Sequence, residues 1–169
     1  MNSFDPDIDA NATIHQPLFE FDSQHSPPSQ QTVDDFLAEL DPSLNDDQER
    51  AFRIIAEHSI EKTTEPLRMF IGGPGGTGKS YVIGCLNQFF QVTNQCRRFR
   101  LCSYTGVAAN NINGMTLHSA LNFGSVNTIK TNSVSHRDLI AMWEGVDYLF
   151  IDEVSMIGCA FLYRISLAL

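Results

Sequence analysis

The sequence predicts an α/β protein: a parallel sheet with helices on both faces, behind an acidic tail. Three observations carry that prediction. From Leu44 onward, short apolar runs alternate with stretches of helical period. A glycine-rich turn joins the first apolar run to the helix after it. The charge is also divided: residues 1–47 hold eleven acids and no Lys or Arg, whereas the remainder carries a net +2. The net charge of -9 over 169 residues therefore describes the tail and not the domain, so it does not exclude a nucleic-acid partner.

Residues 1–43 read as the tail. Within it, residues 1–31 mix Asp, Pro, Ser, Gln and Asn without hydrophobic periodicity, and disorder is the expectation. The N-terminus has neither the apolar core of a secretory signal nor the arginines of a mitochondrial presequence. The expected location is intracellular and not secreted, with the nucleus ahead of the mitochondrion. The Asn11-Ala12-Thr13 sequon then carries no weight. A short helix is expected over 33–40, capped by Thr32, with Val33, Phe36, Leu37 and Leu40 on one face that docks onto the domain.

The domain is expected over 44–169. Residues 46–59 read as a helix whose apolar side is Ala51, Phe52, Ile54 and Ile55. Residues 67–72 (LRMFIG) read as a buried strand, 78–91 as a helix and 98–103 (RFRLCS) as a second strand. A short helix over 106–112 precedes a loop over 113–133. Ser135 caps a helix through Glu144, and 147–152 (DYLFID) is the third strand, before a turn and a last helix. The apolar runs fall far short of the ~18 residues a membrane span needs. Cys85, Cys96, Cys102 and Cys159 lack CxxC spacing, so reduced thiols and no zinc are expected.

The sequence IGGPGGTGKS fits G-x-x-x-x-G-K-[ST], the phosphate-binding loop of P-loop NTPases. Gly73, Gly75, Gly76 and Gly78 permit backbone angles that side chains forbid, and Pro74 and Thr77 complete the loop. Successive amide N–H groups can then line an anion-binding nest at the positive end of the next helix. Lys79 brings a mobile charge to the β- and γ-phosphates, and the Ser80 hydroxyl offers one ligand to Mg²⁺ accompanying ATP. The run YLFIDE ends an apolar strand in two acids. Asp152 is the candidate second Mg²⁺ ligand, and Glu153 the candidate base for an attacking water. A third group lies in 103–123: Thr105 is a helix cap suited to a backbone phosphate, while Thr116 and His118 are candidates for phosphate or base contacts. Arg97, Arg98 and Arg100 read as a solvated strand edge before a binding patch.

The ordered series LNDDQ (44–48), GGPGGTGKS (72–80), YTGVAANNINGMTLHS (104–119) and FIDEVSM (150–156) resembles the Pif-one DNA helicases. These belong to the PIF/RecD branch of superfamily 1, which includes the helicase part of Helitron-type transposons. The resemblance covers roughly 44–169 and implies a RecA-like domain. It implies that Gln48 reads adenine, and that Thr105, Gly106, Ala108, Thr116 and His118 contact single-stranded DNA. The implied activity is ATP-driven 5′-to-3′ translocation and unwinding of duplex DNA, in repair, recombination, telomere maintenance or transposition. The family's engine has two RecA-like domains with ATP between them. The sensor motif, the second domain and its arginine finger are not among these 169 residues, so the chain reads as the first part of a helicase, a fragment or truncated product. The resemblance further implies that a strand following DEVSM inserts between the strand at 67–72 and the strand at 147–152. Two other classes fit the residues alone: a P-loop ATPase unrelated to DNA, and a non-enzymatic product acting through the acidic tail.

Overall fold

Two apolar runs become strands because each finds a parallel neighbour. β1 (Phe99–Ser103) and β3 (Tyr148–Asp152) pair in parallel from Phe99 opposite Tyr148 to Ser103 opposite Asp152. The two-residue β2 (Met115–Thr116) pairs on the other side of β1, giving the order β2-β1-β3. In the computed structural model, residues 27–61, 65–123 and 136–169 are described. The expectations for 1–26, for 124–133 and for Ser135 lie outside these residues.

Side chains along a strand alternate between faces, and the two faces of this sheet carry separate cores. Phe99, Leu101, Tyr148 and Phe150 point to one core, with helices α1 (Gln30–Ala38), α2 (Asp46–Ile60) and α3 (Lys79–Val92). Cys102, Leu149 and Ile151 point to the other, with α5 (Leu117–Ala120) and α7 (Cys159–Ala168). Trp143 of α6 (His136–Trp143) joins that second core, while α4 (Gly106–Asn111) links β1 to β2. Helices on both faces of a parallel sheet make this a partial RecA-like P-loop fold, in line with the expected class.

Phenylalanines fill the first core. Phe36 of α1 stacks on Phe52 of α2 at 5.4 Å, and Phe89 of α3 meets both rings edge-on. Phe36, Phe52, Phe89 and Phe90 are all essentially inaccessible to solvent. Each such ring contributes roughly 1.5–3 kcal/mol by leaving water. Helix α1 begins at Gln30, three residues before the expected start, and sends Val33 and Phe36 into this core. On α2 the buried face is Ala51, Phe52, Ile55, Ala56 and Ser59, while Ile54 stays 38% exposed. Of the expected apolar side, Ala51, Phe52 and Ile55 are buried and Ile54 is not.

The run 67–72 is not a strand. It pairs with none of the three strands, and Phe70 is 77% exposed; only Leu67 and Ile71 pack against the core. An apolar run becomes a strand only where a neighbour takes up its N–H and C=O groups. Among the described residues nothing pairs with β3 on the side away from β1.

The three arginines are structural. Arg97 donates to the carbonyls of Ala141 and Glu144, and Arg100 to that of Met142, which ties β1 to α6. Arg98 pairs with Asp147 at 2.6 Å and donates to the Ser59 carbonyl. No helix among the described residues is long and apolar enough to cross a membrane.

Candidate functional site

The phosphate loop runs from Gly73 into the first turn of α3. Gly78 caps that helix at φ +78°, and Gly76 lies at φ +77°, both in the left-handed region where a side chain is strained. Gly73 is required for a different reason: a Cβ there would lie 2.8 Å from the Thr77 Oγ1. Gly75 opens onto free space. Two of the four loop glycines thus supply unusual backbone angles, fewer than the four expected. The first turn of α3 carries no acid, so nothing there competes with an anion for the positive helix end.

Lys79 is folded back on the loop. Its Nζ donates to the carbonyls of Gly73 at 2.9 Å and Pro74 at 2.7 Å, and the Thr77 hydroxyl also donates to Pro74 at 2.9 Å. The lysine charge therefore sits at the loop mouth, on carbonyls that a phosphate would replace as its partner. Ser80, next on α3, is exposed, and its hydroxyl has no hydrogen-bond partner among the described residues. A cleft of about 310 Å³ on the flank of α3 includes Ser80 with Asn87, Gln88 and Asn111. It takes in nothing of 73–77, so it is not the phosphate seat.

Gln48 meets this loop from α2. Asn45 and Gln48 form a reciprocal capping box: each side chain accepts from the other's backbone N–H at 3.0 Å. The remaining end of the Gln48 amide, Nε2, donates to the Thr77 carbonyl at 3.0 Å.

The acids stand at the C-terminal end of β3. Asp152 is the last residue of β3, and its Oδ1 accepts from the Glu153 N–H at 2.9 Å. Glu153 itself adopts φ +53°, an uncommon conformation for a residue with a long side chain. No hydrogen bond or ion pair joins Lys79 to Asp152 or Glu153 among the described residues.

The third group aligns with the acids through β1. Ser103 is registered against Asp152 on one side and Thr116 on the other, and its hydroxyl donates to the Asp152 carbonyl at 3.2 Å. Thr105 caps α4 by accepting from the Ala108 N–H at 3.2 Å, with Gly106 opening that helix. Thr116 caps α5, accepting from the Ser119 N–H at 3.2 Å. His118 follows within α5, exposed, and its ring stacks on Phe161 of α7.

Comparison with known proteins shows the family. The profile of the PIF1-like helicases matches residues 43–165. The chain belongs to the PIF1-like helicase family. It is 30% identical over 118 residues to the ATP-dependent DNA helicase RRM3 of Saccharomyces cerevisiae, covering 68% of this chain and 15% of that one. It is 30% identical over 125 residues to the ATP-dependent DNA helicase PIF7 of Trypanosoma brucei brucei, covering 70% of this chain and 12% of that one. Uncharacterized protein 030L of Invertebrate iridescent virus 6 is also 30% identical over 123 residues, at 68% and 21% coverage. The chain thus spans well under a quarter of the length of the relatives it matches. No solved structure gives a significant match.

Within this PIF1-like domain two residues escaped sequence reasoning. Ser103 ends an apolar run, and nothing local marks it as the residue between Asp152 and Thr116. Asn45 stands in LNDDQ with no role evident from sequence, and its reciprocal bonds with Gln48 orient the amide toward the loop. An Asn three residues before a Gln at a helix start was the available signal.

Proposed function

We propose that this domain binds Mg²⁺-ATP at residues 73–80 and grips single-stranded DNA with Thr105, Gly106, Ala108, Thr116 and His118, as a motor part of an ATP-dependent DNA helicase. Lys79 meets the β- and γ-phosphates, Gln48 reads the adenine, and Glu153 polarises the attacking water. Ser80 and Asp152 suit Mg²⁺ as hard oxygen donors, one hydroxyl and one carboxylate, leaving other positions to phosphate and water. The bound ion would neutralise charge developing on the transferred phosphoryl group. On the resemblance alone, and not on these residues, we further propose 5′-to-3′ translocation, unwinding of duplex DNA, a role in repair, recombination, telomere maintenance or transposition, and a nuclear or mitochondrial location.

One observation carries the reading: Ser103 joins the acid end of β3 to the Thr116 cap through adjacent positions in one sheet. A helicase needs its hydrolysis and strand-gripping groups on a common rigid element. The test is ATP hydrolysis with and without single-stranded DNA. Stimulation by DNA supports the reading. Nucleotide binding indifferent to DNA would favour an ATPase of another kind, and no nucleotide binding would overturn it.

A further inference from the structure

Ser80, Gly84, Asn87, Gln88 and Gln91 recur at helical period on one face of α3, and that face lines the cleft of about 310 Å³. Asn111 and Asn113 face them from the end of α4 and the link to β2. The floor is apolar: Ile83, Leu101 and Ile112 belong to the first core, each 8% exposed. The walls are amides. Five carboxamide side chains and no charged residue line the cleft.

Two features of this cleft are unfavourable for the domain by itself. The Gln88 Oε1 is buried and has no hydrogen-bond partner among the described residues. Its last torsion is soft, so the amide can turn that oxygen toward a donor in the cleft. Gly84 is the sixth of the fourteen residues of α3. Glycine inside a helix costs stability relative to alanine, and here it leaves the middle of the cleft wall open. The geometry points to a binding site for an uncharged aromatic carboxamide. A carboxamide sets N–H donors beside a C=O acceptor, the pattern that the lining side chains complement, and it brings the Gln88 oxygen a donor. A flat ring covers Ile83, Leu101 and Ile112, which a water molecule would leave wet. A charged ligand would give up its hydration and find no counter-ion. Ligand pockets span about 300–1,000 Å³, so this one suits a ring with its substituent rather than a run of peptide.

The cleft excludes residues 73–77, and the inference does not depend on the nucleotide or DNA reading. The 169-residue chain, with saturating Mg²⁺-ATP present throughout, is titrated with nicotinamide, nicotinate and methyl nicotinate. The three share a ring, but nicotinate is charged and methyl nicotinate has no N–H. Nicotinamide should bind about ten-fold more tightly than either, and should shift the side-chain amide resonances of Asn87, Gln88 and Gln91. Gly84→Ala should fill the cleft and remove most of this binding while holding or raising the melting temperature. Gln88→Met should erase the preference for nicotinamide over methyl nicotinate. Equal affinity for the three probes, shifts confined to other residues, or no binding of nicotinamide overturns the site. The wild-type series needs no variant, so it decides the question even if a substitution fails to fold.

Discussion

Gln48 Nε2 donates to the backbone carbonyl of Thr77 at 3.0 Å, across 29 positions of sequence. Its Oε1 is committed to the Asn45 N–H at the same time. The start of α2 therefore holds the glycine loop, and both ends of the amide are engaged. Gln48→Glu keeps an oxygen for Asn45 but faces the Thr77 carbonyl with a second oxygen. It should weaken ATP binding about ten-fold, the worth of a lost bond of roughly 1–1.5 kcal/mol, with unchanged helix content by circular dichroism. Unchanged affinity for a fluorescent ATP analogue would show that this tie does not hold the loop.

Lys79→Ala removes the charge at the loop mouth and both of its bonds, to Gly73 and Pro74. ATP binding should fall by on the order of 10²-fold, since charge-assisted phosphate contacts are among the stronger polar interactions. Titration with the same analogue measures this. Equal affinity in wild type and variant would remove the loop from nucleotide binding.

Glu153 allows chemistry and strain to be tested at one position. In a protein that carries this domain together with a second motor domain, Glu153→Gln should preserve Mg²⁺-ATP binding and lower turnover by roughly 10²–10⁴-fold. Glu153→Gly should lose turnover too, yet gain about 1 kcal/mol in stability, because φ +53° suits glycine. Urea unfolding and single-turnover hydrolysis read the two effects separately. A destabilised Glu153→Gly would mean that the conformation carries no strain.

The phosphate loop was legible because its chemistry is local: ten consecutive residues specify the turn, the charge and the hydroxyl. β1 and β3 were legible because their apolar character and their pairing agree. Residues 67–72 have the same character, but whether a run becomes a strand depends on a neighbour, and composition does not report neighbours. Arg97, Arg98 and Arg100 were ambiguous for a related reason. Their acceptors on α6 and at Asp147 lie 42 to 49 positions away in sequence. The stack of His118 on Phe161 was invisible in the same way.

All four cysteines are free, and the fold divides them into two pairs. Cys96 and Cys159 are exposed, whereas Cys85 and Cys102 are buried. Burial pushes the Cys102 thiol up to about 11, against a smaller lowering by Arg100, and raises that of Cys85. A thiol-specific reagent at pH 8 should therefore modify two thiols quickly in the native protein and all four in denaturant. The raised pKa of the buried pair also makes the folded state hold those protons more tightly. Their contribution to stability is complete below about pH 9 and declines as pH rises toward 11. Rapid native modification of all four would show that the cores on the two faces of the sheet are open.

Ser103 has a consequence for how such a domain can change over generations. It stands in register with Asp152 and with Thr116, and it is fully buried. A substitution that shifts the end of β1 moves the neighbours on both sides together. Selection at this position is pleiotropic: the end of β3 and the start of α5 cannot be tuned there one at a time. Change is instead free to run through the outer residues of α4, α5 and α7, which can vary without disturbing the strand between them.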